Sequence, residues 1–124
     1  MRFSIRARDK WNHTGLVLDA GGIYRFVADG QWIDWYITYG PAGGDSGSNL
    51  FLRPVERFRR RPKDNWFALI GAVGEDESTT FLIGAGKPEF RAEHSGELTC
   101  YANDMSIAYV NNRGSVSLSV ERLA

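Results

Sequence analysis

An all-β architecture, an antiparallel jelly-roll sandwich, is predicted by three features of this 124-residue chain. Short runs alternate apolar and polar residues with the two-residue period of strands buried on one face. Glycine-rich turns separate those runs at short intervals. No stretch sustains a 3.6-residue apolar period between capping residues, so helices are not expected.

Taken in order, Phe3, Ile5 and Ala7 share one face of the first strand, and Leu16 and Leu18 share a face of the second. Asp19-Ala20-Gly21-Gly22 is a turn, after which Tyr24, Phe26 and Ala28 alternate with Arg25, Val27 and Asp29. Residues 32–39 form an aromatic strand. Alternation sets Trp32, Asp34, Tyr36 and Thr38 on one side and Ile33, Trp35 and Ile37 on the other. Gly40-Pro41 ends it, and residues 40–48 are a glycine/serine loop. Residues 66–73 are almost continuously apolar, which suits a central strand covered on both faces. Runs at 79–83, 89–92, 97–101 and 115–123 bring the total to eight or nine strands. The segment 49–63 breaks the rhythm; it is basic, and its prolines discourage a central strand. There is no internal repeat, and residues 1–124 read as one domain.

Composition narrows the function classes. A hydrophobic fraction of 43%, with four Trp, five Tyr and seven Phe, describes a chain that folds around a core. The formal charge of zero gives no global attraction to nucleic acid or an anionic membrane, and lowers the repulsion that opposes self-association. Cys100 is the single cysteine, which excludes an internal disulfide and reads as a small buried hydrophobe. The N-terminal residues alternate in polarity instead of forming a signal-peptide core, and no apolar run reaches a membrane span of ~20 residues. A cytoplasmic location is the default expectation, with non-classical export left open.

The most informative chemistry lies in the loop of residues 103–114. Asp104 precedes the paired carboxamides Asn111 and Asn112 by seven and eight positions, close enough for one loop to gather them. Such oxygen ligands suit a hard cation such as calcium, which takes ~6–8 oxygens from carboxylates, amides and carbonyls. With no histidine or thiolate in the loop, zinc, copper and iron are poorly served. Turn propensity alone also accounts for Asn, Asp and Gly in such a segment.

Several motifs then fall in a recognisable order: Thr14-Gly15-Leu16-Val17-Leu18, Gly21-Gly22-Ile23-Tyr24, Ala28-Asp29-Gly30 and Tyr39-Gly40-Pro41. Ala68-Leu69-Ile70 with Val73-Gly74, Ser95-Gly96-Glu97-Leu98, Asn103-Asp104 and the run from Asn111 to Leu118 complete it. In these the chain resembles the PA-I galactophilic lectins, small bacterial jelly-roll proteins that bind galactosides through calcium. The resemblance covers nearly the whole chain, and its specific part is the spacing of Asp104, Asn111 and Asn112.

The resemblance implies a calcium ion held by the Asp104 carboxylate, the Asn111 and Asn112 side chains and two backbone carbonyls, at Ala108 and near Asp34. It implies that two vicinal sugar hydroxyls complete the calcium shell, with Asp104, Met105 and Asn111 lining the sugar. The chain departs from the family where a histidine and a glutamine would follow Gly-Pro. Arg113 also stands for a small residue, and Ile107 and Val110 for glycines. The expected ligand is therefore a galactoside bound weakly, or another glycan with vicinal hydroxyls.

Other clusters are weaker. Arg57, Arg59, Arg60, Arg61 and Lys63 flank Phe58, and acids such as Glu75, Asp76 and Glu77 balance their charge. An oligomer contact suits this loop better than nucleic acid. Trp32, Trp35, Tyr36 and Tyr39 include candidates for sugar stacking, while Trp11 and Trp66 read as core. His13 and His94 lack nucleophile partners, and Glu89, Glu93 and Glu97 are spread along strands and turns. The expectation is a non-catalytic, homo-oligomeric carbohydrate-binding protein. Its alternative is a structural or protein-interaction jelly roll with a degenerate metal site.

Overall fold

The computed structural model describes residues 1–44 and 59–124. The described residues form nine strands: β1 (Arg2–Arg6), β2 (Asn12–Leu18), β3 (Ile23–Asp34), β4 (Ile37–Tyr39), β5 (Leu69–Val73), β6 (Phe81–Leu82), β7 (Gly86–Arg91), β8 (Gly96–Ala102) and β9 (Asn112–Arg122). One sheet runs β1-β9-β3-β4, with β7 also on β3; the other runs β2-β8-β5-β6. Every pairing is antiparallel. The two sheets enclose a core that includes Ile5, Leu18, Phe26, Trp32, Leu69, Leu98, Cys100 and Leu118. The predicted sandwich is the observed one.

The alternating burial of β3 and β9 is the two-residue period of their sequences made physical. Tyr24, Phe26, Ala28 and Trp32 face inward, as do Val116, Leu118 and Val120. β3 passes through Gly30 without breaking, because a φ of 106° there is open to glycine alone. Its N-terminal half pairs with β7 and its C-terminal end with β4, both on the edge opposite β9.

Two predicted strands differ. Residues 32–39 are not one strand but the end of β3, a two-residue turn at Trp35-Tyr36, and β4. Trp35 turns the chain with a φ of 56°, a conformation sparsely populated by non-glycine residues, so no glycine announces the turn. The apolar run 66–73 contributes only Leu69–Val73 as strand, central between β8 and β6 as expected. Phe67 also has a positive φ of 58° and ends extended structure before β5. Its ring stacks on Tyr39 at 5.2 Å, and its carbonyl accepts the Trp32 indole N–H at 3.0 Å. Gly43 lies against this segment so closely that a β-carbon would sit 2.2 Å from the Trp66 carbonyl oxygen.

Side chains knit the two sheets at the end where the loop of residues 103–111 emerges. Asn12 accepts from the Arg6 N–H (2.8 Å) and donates to the Arg6 and Cys100 carbonyls (3.0 and 3.1 Å). Its carboxamide thus extends the edge of β1 and ties it to β8. At the other face of the second sheet, His13 bridges two acids: Nδ1 lies 2.8 Å from Glu97 and Nε2 2.7 Å from Glu75. Hydrogen bonds from Glu97 and then Glu75 raise the histidine pKa above its usual 6.5. A raised histidine pKa stabilises the fold below 6.5, and the contribution is lost as pH climbs through the raised value. His13→Ala is expected to lower the melting midpoint by about a degree or two at pH 6, as befits an exposed pair. At pH 9 it should change nothing. Thermal scans of both proteins across that range check the convergence.

Candidate functional site

The loop between β8 and β9 and the β3–β4 hairpin meet at one end of the sandwich. β8 delivers Asn103 and Asp104, both fully or almost fully buried. Asn103 is structural: its amide donates to the carbonyls of Arg61, Asp64 and Asn65, and its oxygen accepts the Arg61 N–H at 2.9 Å. Asp104 points the other way. Its Oδ1 accepts the Met105 N–H (2.7 Å) and its Oδ2 accepts the Asn112 amide (3.1 Å).

Asn112 opens β9 and is buried completely. Its amide nitrogen donates to Asp104 and to the Ala7 carbonyl at 3.1 Å, which fixes the rotamer. The opposite atom, Oδ1, is buried with no hydrogen-bond partner. A buried acceptor left unpaired costs about 1–3 kcal/mol unless something else meets it.

Register brings a second acid to the same place. Asp34 lies opposite Asn112 in the β3–β9 ladder, and opposed residues of an antiparallel pair share a face. Burial first, and then repulsion from Asp104, push the Asp34 carboxyl up to about 6. Burial likewise raises Asp104, against the lowering effect of its two hydrogen bonds. The Asp34 carboxylate therefore lies near Asp104, and the cluster carries two acids where a backbone carbonyl near Asp34 had been expected to contribute.

The remaining expected ligands are placed unequally. Ala108 lies in the loop wall, where its N–H donates to the Met105 carbonyl at 3.0 Å. It precedes a single 3₁₀ turn, Tyr109–Asn111. Asn111 is exposed, with its backbone carbonyl taken by the Trp35 N–H at 3.1 Å. Met105 is half-buried and packs on the core, so its contribution at the loop is the backbone N–H. Among the described residues no three His, Cys, Asp or Glu side chains group as a metal site, which leaves an oxygen set of two acids with amides and carbonyls.

Around the cluster the surface is apolar and aromatic. Trp35 and Tyr36 are 66% and 64% exposed, with ring centroids 4.7 Å apart in an edge-to-face pair. Ile107 and Val110 project from the neighbouring loop at 87% and 78% exposure. The predicted platform is thus partly redistributed: Trp32 and Tyr39 belong to the core, while Trp35 and Tyr36 form the hairpin tip. Trp11 is half-buried against Tyr101, whereas Trp66 is core as expected.

Of the basic segment, Arg60 is buried where a solvated side chain was expected. Arg53, Arg57 and Phe58 lie outside the described residues. The Arg60 guanidinium stacks 3.3 Å from the Tyr101 ring centre and 4.4 Å from that of Trp11, and its side chain is 4% exposed. It pairs with Glu77 at 2.7 Å and donates to the Lys10 carbonyl and the Tyr109 hydroxyl. Its backbone N–H donates to the Asp104 carbonyl at 3.0 Å. Arg61 pairs with Asp64 and donates to Thr80. Arg60 and Arg61 are thus engaged within the chain. Sequence reasoning missed this because the cage residues Trp11, Tyr101 and Tyr109 are scattered along the chain.

Two concavities among the described residues lie away from the loop. One is an open trough of about 690 Å³ near Met1, Leu16 and Val27, and the other a cleft of about 350 Å³ between β6 and β7. None of the described helices is long and apolar enough to cross a membrane.

Comparison with known proteins places the architecture. The chain matches no protein-family model and no curated protein. Among solved structures, one of similar fold is described as the EclA N-terminal domain, a PllA-like lectin, with a TM-score of 0.75 and 20% identity. It covers 98% of this chain and 95% of that one. At that identity the likeness establishes the shared sandwich fold; the chemistry of the site has to be argued from the residues.

Proposed function

We propose that this protein is a non-catalytic carbohydrate-binding protein that recognises vicinal sugar hydroxyls through a calcium ion. The carrying observation is the buried, unpartnered Oδ1 of Asn112 beside the carboxylates of Asp34 and Asp104. Two like charges and an orphaned acceptor in one place are unfavourable alone, and a divalent cation offsets both. Asp34, Asp104, Asn112 and the Asn111 amide would hold the ion, with the Ala108 carbonyl as a further donor. Bound calcium supplies coordination positions that hydroxyl oxygens of a sugar can fill. The carbohydrate reading is supported further by the lectin description of the structural neighbour. The exposed Trp35 and Tyr36 rings offer an apolar wall for the sugar's C–H face. A galactoside is the first candidate ligand, and weak single-site affinity would favour a homo-oligomer that multiplies sites.

The test is the melting midpoint with calcium or with chelator. An ion that binds only the native state adds about 2.7 kcal/mol at a hundred times its Kd. For a chain of this length the midpoint is expected to rise by roughly 8–12 °C in saturating calcium. A midpoint unmoved by millimolar calcium, with no calcium-dependent sugar retention, would return the chain to the class of structural or protein-interaction modules.

A further inference from the structure

Arg113 follows Asn112 on β9 and is exposed. Its Nη2 donates to the Trp35 carbonyl at 3.0 Å, which ties the guanidinium to the backbone of the β3–β4 turn. A guanidinium has five N–H donors in a planar fork, so most of its bonding capacity remains unused. Among the described residues no carboxylate forms an ion pair with Arg113. The cationic fork is thus separate from the acids Asp34 and Asp104, although it stands next to Asn112 on β9.

We infer that the site favours acidic glycans, with Arg113 meeting a carboxylate or sulfate of the sugar whose hydroxyls meet the cation. This rests on the calcium-dependent reading above. Charge supports it: a divalent ion neutralises Asp34 and Asp104, and Arg113 then leaves the loaded site net positive. Without the ion the same cluster is net negative and repels an anion. The strained φ of 56° at Trp35 fits a device that fixes this geometry, since the Asn111 carbonyl and the Arg113 guanidinium hold its backbone from either side. Arg suits the task because its fork makes two parallel bonds to a carboxylate or sulfate.

The experiment is calorimetric titration of calcium-loaded protein with galactose, galacturonate and galactose 6-sulfate, repeated with Arg113→Gln. Glutamine keeps an N–H donor but removes the charge. Both acidic sugars are expected to bind about five- to tenfold tighter than galactose, as for a charge-assisted bond near the surface. That ratio should fall to about one in the variant and shrink at high salt. Preference for galacturonate alone, surviving in Arg113→Gln, would mean that its carboxylate joins the calcium shell, and would overturn the assignment to Arg113. Equal affinities for all three sugars would also overturn it while leaving the calcium reading intact. No calcium-dependent binding of any of the three would remove both.

Discussion

Asp104→Asn is expected to weaken calcium binding by about a hundredfold while leaving the calcium-free fold close to its parent in stability. Calcium affinity follows the number of charged ligands, and in the proposed ligand set this change removes one of two, Asp34 and Asp104. The stability side has two opposing parts. Asparagine can serve only one of the two donors that Asp104 now accepts, at a cost of about 1 kcal/mol. Against that, a carboxyl raised in the folded state stabilises the fold while protonated and loses that contribution as pH rises through its folded value. Asparagine removes the carboxyl group whose ionised form burial disfavours. Calorimetry with calcium, set beside thermal scans in chelator, separates the two quantities. Unchanged calcium affinity in the variant would exclude this loop as the cation site.

Arg60→Ala is expected to have the largest effect on the fold itself, about 3–4 kcal/mol. A desolvated cation–π contact contributes ~2 kcal/mol, and bonds to charged groups contribute comparably. Removing the side chain also leaves the Tyr101–Trp11 cage empty and Glu77 without its partner. For this length the midpoint should fall by roughly 10–15 °C. Arg60→Lys should recover only part of the loss, since an ammonium keeps the charge but lacks the planar face that lies on Tyr101. Urea unfolding measures it, with the midpoint concentration falling at a constant slope. A change below about 1 kcal/mol would show that the cage is merely a surface cover.

β3 was legible because it repeats apolar residues at every second position, as Tyr24, Phe26 and Ala28 do, and β5 because its run is apolar throughout. Their partners were not, since period-two patterns say which face is buried and nothing about which neighbour is bonded. Hence the Asp34–Asn112 register, which brings the second acid to Asp104, could be reached from sequence only through a resemblance. The turn at Trp35-Tyr36 escaped for a local reason. Its residues favour strands, and the positive φ at Trp35 is imposed by the Asn111 carbonyl and Arg113, both far away in sequence. Arg60 escaped for the opposite reason. A run of arginines reads as solvated, and its burial depends on aromatic residues about 40 to 50 positions distant in either direction.

β9 is the last of the described strands in sequence and yet an interior strand of its sheet, flanked by β1 and β3. Until residues 112–122 are made, the edges of β1 and β3 that pair with β9 lack that partner. Asn112 belongs to the same segment, so its place beside Asp34 and Asp104 forms only as β9 closes the sheet. Pairing residues as distant as Arg2 and Ser119 makes that closure slow compared with local hairpins. Through that interval the open edges of β1 and β3 are exposed to neighbouring chains.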